Sequence, residues 1–181
     1  VKSLRTHDNG NTFLVIERIL VNLGYSVFSK ILNARDFGLP QNRERLFIVC
    51  LRGNNQEFKF PQKTTLSTRV GSILEKEVDD KYTISDRLWA GHKRRKREHK
   101  AKGFGFGYSL FNEDSEYTST MSARYYKDGS EILIDQGKNK NPRKITPEEA
   151  KNLQGFPRSF KPHPSNTQAY KQFGNSVAVP V

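Results

Sequence analysis

The six consecutive apolar residues of Leu46–Leu51 constrain the fold of this chain more than any other feature. A run without polar alternation is typical of a strand covered on both faces, as in a parallel α/β sheet. Ahead of it, apolar residues recur at spacings of three and four over 11–23, which predicts a helix, and 25–32 has the pattern of a strand. The apolar stripe of that helix consists of Phe13, Ile16, Leu20 and Leu23. The order helix, strand, loop and strand predicts part of an α/β domain.

The ends of two helices are marked by their residue types. We expect Asn11 to cap the first helix and Gly24 to adopt the left-handed conformation just beyond its end. Further along, Thr146 and Glu149 have the spacing of a capping box, and the helix that they begin is expected to end near Leu153.

The middle of the chain differs in composition from both ends. Residues 53–68 are polar and are predicted to be a linker, whereas 69–145 are charged and rich in Gly, Tyr and Phe. Glu131–Asp135 has the pattern of a strand, and Asp128–Gly129 that of a hairpin turn. We therefore predict a small separate module, mostly β and loop, after which the segment from Phe173 packs back on the α/β sheet.

The charge of the chain is strongly positive, with 31 Lys and Arg against 19 Asp and Glu and a net charge of +12. Such an excess indicates either a polyanionic partner, through counterion release from phosphates, or a basic solvated surface. Much of it lies in His92–Lys102, for which phosphate contact, a solvated helix face and a nuclear-localisation signal are alternatives. A single cysteine excludes a disulfide framework and a Cys-rich zinc site, so we predict no metal site.

Three short motifs are candidates for function. Gln41–Arg45 directly precedes the apolar strand, and its arginines are suited to a phosphate and to another acceptor such as a base carbonyl, although a solvated strand end has the same pattern. Leu153–Pro157 is a helix stop with a hydrophobic anchor. Gln172–Val177 offers backbone amides and small polar groups to a ligand, or forms an ordinary turn.

In this order, the three motifs resemble the conserved blocks of the DNA (cytosine-5)-methyltransferase family. Asn33–Leu46 is similar to the family's Gln-x-Arg-x-Arg block, Thr146–Pro157 to its next block and Gln168–Val177 to its last. Lys102–Tyr108 and Ser122–Asp135 resemble the recognition region of the Dcm-like subgroup, which methylates the inner cytosine of CC(A/T)GG or related CCNGG sites.

The ends of the chain fit this resemblance. Val1 resembles the last residue of the family's Glu-Asn-Val motif, the single methionine is Met121, and the chain stops inside an apolar stretch. We expect both ends to be cut from a longer protein. The nucleophilic cysteine, the glutamate and the glycine-rich cofactor loop of the family would precede Val1, in a missing N-terminal half acting in cis or in trans. Cys50 lies within the apolar run, and we expect it to be buried and inert.

The resemblance implies a fold and a setting for the chain. The fold class is α/β, the C-terminal part of a Rossmann-like methyltransferase domain with a smaller, mostly β target-recognition domain inserted. Residues 1–60 would belong to the catalytic domain, 61–157 to the target-recognition domain, and 158–181 to a return segment packing on the catalytic domain. The protein would be a monomeric bacterial or phage enzyme of a restriction-modification or Dcm-like system, cytoplasmic and associated with the nucleoid through DNA.

The resemblance also implies a reaction, the transfer of a methyl group from S-adenosyl-L-methionine to double-stranded DNA. In the family a cysteine thiolate attacks carbon 6 of a flipped-out cytosine, which lets carbon 5 accept the methyl group. Arg45 would contact the flipped cytosine, Arg43 would lie near the DNA backbone, and Gln41 would support the block. The expected cofactor-binding residues are Asn175, Ser176 and Val177. The expected DNA contacts are Thr120 and Ser122, beside the target base pair, and the cations Arg124, Lys127, Lys93, Arg94, Arg95 and Arg97.

Three alternatives remain open at the level of the sequence. Lys102–Phe106 fits the start of the RNP1 consensus of RNA-recognition motifs, although Gly107 and Ser109 depart from it. Gly103–Gly107 is a poor match to a dinucleotide-binding loop, because the spacing of the third glycine is wrong. Finally, the chain could be a non-catalytic DNA-recognition subunit of a split methyltransferase.

Overall fold

The computed structural model describes residues 2–53, 55–64, 66–105 and 107–181, and within them it has a mixed α/β architecture, as predicted. In chain order the helices and strands are α1 (Asn11–Asn22), β1 (Tyr25–Asn33), β2 (Glu44–Arg52), α2 (Asp86–Ala101), β3 (Leu110–Phe111), β4 (Leu133–Ile134), β5 (Arg143–Lys144), α3 (Pro147–Leu153) and α4 (Asn166–Asn175). None of the described helices is long and apolar enough to cross a bilayer.

The first unit is α1 packed against a two-stranded sheet of β1 and β2. The strands run antiparallel, with Tyr25 opposite Arg52 and Asn33 opposite Glu44, so the predicted parallel arrangement is wrong for this pair. The short connection 34–43 is the reason, since parallel neighbours need a longer crossover. Gly24 has the expected positive φ of 84°. The predicted cap is wrong, because Asn11 is the first residue of α1 and Gly10 is its cap.

The second unit contains α2 and a small sheet in the order β3-β4-β5. Each strand has only two residues and α2 has 16, so the prediction of a mostly β module is wrong. The Ser85 hydroxyl accepts from the Leu88 amide and caps α2, whose lysines and arginines favour helix. Gly129 forms a turn with φ 64°, but no hairpin results because β3 pairs parallel with β4.

One apolar core joins this second unit to the last two helices. It consists of Val70, Ile73, Met121, Tyr125, Ile132, Ile134, Ile145, Ala150, Leu153, Ala169, Tyr170 and Phe173. The predicted boundary at 157/158 therefore cuts through a single core. The end of the chain packs on the first unit, where Ala178 and Val181 contact Ala34 and Leu39.

Two predictions about connecting segments have different outcomes. The segment predicted as a linker is attached to the first unit, since Phe58 packs against Phe28 at 5.8 Å between ring centroids and the Thr64 amide donates to the Asp36 carbonyl. The capping box at the start of α3 is confirmed, with the Glu149 amide donating to the Thr146 hydroxyl and the Thr146 amide to the Glu149 carboxylate.

Gly174 in α4 marks the closest approach between the last helix and the second unit. A Cβ atom built on Gly174 would lie 2.3 Å from the Ser122 carbonyl oxygen and 2.4 Å from the Ala123 amide nitrogen. Both are backbone atoms, which cannot rotate away. α4 can pack here only because residue 174 has no side chain.

We expect Gly174→Ala to lower the free energy of unfolding by about 3 kcal/mol or more, because α4 must move off the core. Gly91→Ala is the matched control, since Gly91 is also helical but a Cβ there meets nothing within 4 Å. It should be neutral or stabilise by about 1 kcal/mol. Urea unfolding of both variants measures the difference, and equal midpoints would contradict this account of the packing.

Candidate functional site

Gln41 connects three distant parts of the chain. Its side chain is fully buried, and its Nε2 donates to the Leu153 carbonyl at 3.2 Å while its Oε1 accepts from the Met121 amide at 3.1 Å. A primary amide that donates and accepts at once fixes two segments relative to each other. This geometry agrees with a supporting role for Gln41.

Arg43 makes the central contacts of the site. Its Nη1 donates to the Met121 carbonyl at 2.8 Å, and its Nη2 donates to the carbonyls of Gly174 at 2.9 Å and Ser176 at 2.7 Å. Burial, followed by the nearby charge of Arg45, lowers the pKa of Arg43 to about 10, so the guanidinium stays charged at neutral pH. We call Arg43 with these three carbonyl groups the arginine junction.

Arg43 is enclosed in this arrangement. Only 3% of the residue is exposed, and both terminal nitrogens donate to the carbonyls of the arginine junction. In this structure Arg43 therefore holds backbone segments together. Its expected place near the DNA backbone stays a prediction.

The segment 118–122 runs along the Pro40–Arg43 connection. The Thr118 amide donates to the Pro40 carbonyl at 2.8 Å and the Asn42 amide to the Thr118 carbonyl at 2.9 Å. The Thr120 hydroxyl donates to the Asn42 carbonyl at 2.6 Å. Thr120 therefore lies next to the Gln-Asn-Arg-Glu-Arg segment, although about 80 residues separate them in sequence.

Arg45 follows the arginine junction as the second residue of β2, opposite Leu32. Its Nη1 donates to the Glu44 carbonyl at 2.7 Å, and burial lowers its pKa below the ordinary value. Arg45 is half-buried, unlike the enclosed Arg43. It is thus the arginine of the pair with donors left for a ligand. Cys50 lies further along β2 and is half-buried, not fully buried as expected.

The other predicted DNA contacts in this region lie on the turn after Thr120. The Ser122 hydroxyl donates to the Glu131 carboxylate at 2.6 Å and accepts from the Arg124 amide at 3.1 Å. The side chains of Arg124 and Lys127 are exposed. Ser122 therefore shapes the turn, while the two cations point to solvent.

The three predicted cofactor residues lie at the end of α4, with Asn175 as its last residue and Ser176 and Val177 after it. Asn175 is exposed, and Val177 has 54% of its surface exposed. The Ser176 hydroxyl donates to the Phe173 carbonyl at 2.8 Å, its amide donates into the helix, and its carbonyl accepts from Arg43. Both donors of Ser176 are therefore used within the chain, which holds its two neighbours in place.

The predicted cations of α2 fall into two sets. Lys93 and Lys96 lie over the rings of Trp89 and Tyr108, at 5.3 and 4.3 Å, and the Arg95 guanidinium contacts the Asp128 carboxylate at 3.0 Å. Arg95 and Lys96 therefore attach α2 to the rest of the second unit, whereas Trp89 belongs to α2 itself. Arg94 is 3.6 Å from Glu98 within the helix, and Arg97 and Lys100 are exposed and have no carboxylate partner among the described residues.

Sequence reasoning missed several structural contributors to the site. Met121, Gly174 and Leu153 act through backbone carbonyls or the lack of a side chain, and these leave no signal in the sequence. α4 had such a signal, because the apolar residues Ala169, Tyr170 and Phe173 have helical spacing. Described residues 102–105 and 107–109 lie outside strands, which removes the RNP1 interpretation. No group of His, Cys, Asp and Glu within the described ranges is placed to hold a metal ion.

We expect Arg43→Lys to lower the free energy of unfolding by about 2 kcal/mol or more, because an ammonium group cannot reach all three carbonyls and leaves buried acceptors unpaired. Arg45→Lys is the matched control, with an expected loss below about 1 kcal/mol. Equal loss in both variants during urea unfolding would refute the central structural role of Arg43.

The chain is similar to known proteins over its whole length. The family model of C-5 cytosine-specific DNA methylases matches residues 1–181. The chain is 63% identical to the Type II methyltransferase M1.ScrFI of Lactococcus lactis subsp. cremoris, covering 99% of this chain and 47% of that protein. It is 60% identical to M.SsoII of Shigella sonnei, covering 100% and 48%, and 38% identical to the DNA-cytosine methyltransferase of Escherichia coli K12, covering 100% and 46%.

Solved structures show the same fold. The Dnmt2 methyltransferase of S. pombe superposes with a TM-score of 0.74 at 19% identity, over 96% of this chain and 59% of that chain. The Entamoeba histolytica methyltransferase EhMeth gives 0.70 at 23% identity, over 93% and 54%. The chain spans about half the length of the curated relatives that it matches. It belongs to the C-5 cytosine-specific DNA methylase family.

Proposed function

We propose that the protein transfers a methyl group from S-adenosyl-L-methionine to carbon 5 of a cytosine in double-stranded DNA. In this chain's share of the reaction, Arg45 holds the target base and the second unit recognises the DNA. The observation that carries the proposal is the arginine junction, in which Arg43 binds Met121 while the neighbouring Thr120 binds Asn42, so that the start of β2 with Arg45 is fixed against the segment of Thr120. Family membership supports the reaction class.

Arg45 has the chemistry that the reaction requires at the base. Attack by a thiolate on carbon 6 places negative charge on the cytosine ring, and a fixed guanidinium stabilises such charge where it develops. Because Arg45 stays protonated at neutral pH, it donates to ring acceptors without proton transfer. The nucleophile is not Cys50, whose strand position in β2 is opposite Val27. We assign it to the half of the relatives that this chain does not span.

The methyl donor supplies the reactive methyl group when bound. We propose that Asn175 and Val177 contact it, since their exposed amide and isopropyl groups suit a ligand with polar and apolar parts. Ser176 would act by holding these neighbours in place through Arg43. The arginine junction would then tie the cofactor side of the site to the base side.

The biological setting follows from the relatives. Two proteins at 63% and 60% identity carry the name Type II methyltransferase, which supports a bacterial restriction-modification role. We propose a target of the CCNGG or CC(A/T)GG type, monomeric action, and a location in the cytoplasm on the nucleoid DNA. The alternative is a DNA-recognition subunit working with a separate catalytic half, which the half-length match supports equally.

We expect Arg45→Ala, in the protein as its gene encodes it together with any catalytic partner, to lower methyl transfer by about a hundredfold or more while the target sequence stays the same. Incorporation of labelled methyl groups into DNA measures the rate. Arg52→Ala is the matched control, an exposed arginine at the far end of the same strand, and it should leave the rate unchanged. Normal turnover of the Arg45 variant would remove Arg45 from the active site.

We expect the double variant Arg97→Gln/Lys100→Gln to weaken DNA binding and reduce its salt dependence, because two phosphate contacts no longer release counterions. The slope of log affinity against log salt should fall by roughly 1.8 for two lost contacts. Lys127→Gln is a single-charge comparison at an exposed lysine outside α2. An unchanged slope in the double variant would show that this face of α2 is only solvated.

A further inference from the structure

The loop that connects α2 to β3 contains a glycine- and phenylalanine-rich motif that the proposed function leaves unused. We propose that Phe104 in this loop is an apolar contact to DNA bases, stacking on or wedging between bases that flank the methylation site. The inference rests on the proposed function, because it takes double-stranded DNA as the partner. It adds a base contact to a surface so far described only by its charges.

Phe104 is held at its backbone and exposes more than half of its surface. Its amide donates to the His99 carbonyl in the last turn of α2 at 2.8 Å, so the loop starts from a fixed point. The ring meets the His99 ring edge-on, with centroids 6.3 Å apart, and 54% of the residue is exposed. An anchored aromatic with this exposure needs little reordering when it meets a base.

The glycines on both sides of Phe104 leave room for a close approach. Gly103 has φ 75°, which turns the chain away from the axis of α2. A Cβ atom at Gly105 would meet nothing within 4 Å, so no packing requires glycine there. A small residue beside an exposed aromatic is what insertion into a narrow groove requires.

The charge around Phe104 selects a polyanion as its partner. Arg97 and Lys100 lie one to two turns before it on α2, and Lys102 lies two residues before it, all exposed and without carboxylate partners in the described chain. A bare apolar patch is compatible with many occupants, but an aromatic among free cations suits a phosphate backbone with bases behind it.

The loop also ends beside the predicted target site. Ser109 is within 3.3 Å of Ser119, hydroxyl to hydroxyl, and Ser119 directly precedes Thr120, which is bonded to Asn42. Phe104 and Ser109 are five positions apart in the chain and therefore at most about 18 Å apart. A duplex bound at Thr120 and Arg45 therefore extends past the loop, since its diameter is of similar size.

The test measures DNA affinity of the protein as its gene encodes it, by fluorescence anisotropy over a range of salt concentrations. The DNA is a duplex carrying the methylation site. Phe104→Ala should weaken binding roughly tenfold, because loss of one aromatic–base contact has an effect of that order. The salt slope should stay unchanged, since no phosphate contact is removed. Phe104→Trp should restore the affinity. Leu66→Ala, at an apolar residue outside the loop that is 70% exposed, should change nothing.

A second probe tests contact with the bases themselves. An abasic position moved stepwise along the flanks removes one base at a time, and at the contacted step the tenfold difference between wild type and Phe104→Ala should disappear. The inference is overturned if Phe104→Ala binds like the wild type, or if its defect persists with every abasic probe. If the wild type itself binds no DNA, the proposed function fails, which is a separate result.

Discussion

Arg43 makes the interaction on which the rest of this structure depends. A buried guanidinium is costly unless its donors are satisfied, and here the two terminal nitrogens donate to three carbonyl groups, while the buried Nε has no hydrogen-bond partner among the described residues. One of these carbonyls belongs to Met121 in the second unit, and the others belong to Gly174 and Ser176 at the end of α4. A single side chain therefore links three segments that are distant in sequence.

The functional geometry is a consequence of that packing. Because Met121 is held from one side by Arg43 and from the other by Gln41, the segment 118–122 cannot slide along the 40–43 connection. Arg45 follows the arginine junction in β2, and the direction of this strand is already fixed by the junction. Preorganisation of this kind lets a charged group meet developing charge without rearrangement. The absent side chain of Gly174 is as necessary as the guanidinium, since any Cβ there would separate the segments.

Local signals in the sequence predicted local structure well. Thr146 and Glu149 form the capping box that their spacing indicated, and Gly24 has its positive φ. The errors concern structure that forms between distant residues. The apolar run of β2 does not encode the direction of its partner strand, and the shared core of α4 with the second unit depends on contacts across about 50 residues or more. The family blocks identified Arg43 as important, but carbonyl acceptors have no residue type by which to find them.

The number of Lys and Arg residues in the sequence likewise does not show which of them are available at the surface. The basic run of α2 reads in sequence as one phosphate-binding stretch, yet Lys96 lies over Tyr108 and Arg95 contacts Asp128. His92 is buried beneath them, and burial lowers the pKa of its imidazole, so this side chain of α2 stays neutral. Lys96 and Arg95 therefore attach the helix, whereas Arg97 and Lys100 are exposed and have no carboxylate partner among the described residues. Affinity for a polyanion then depends on a few exposed cations of the helix. The side chains of the other cations are already held by contacts within the protein.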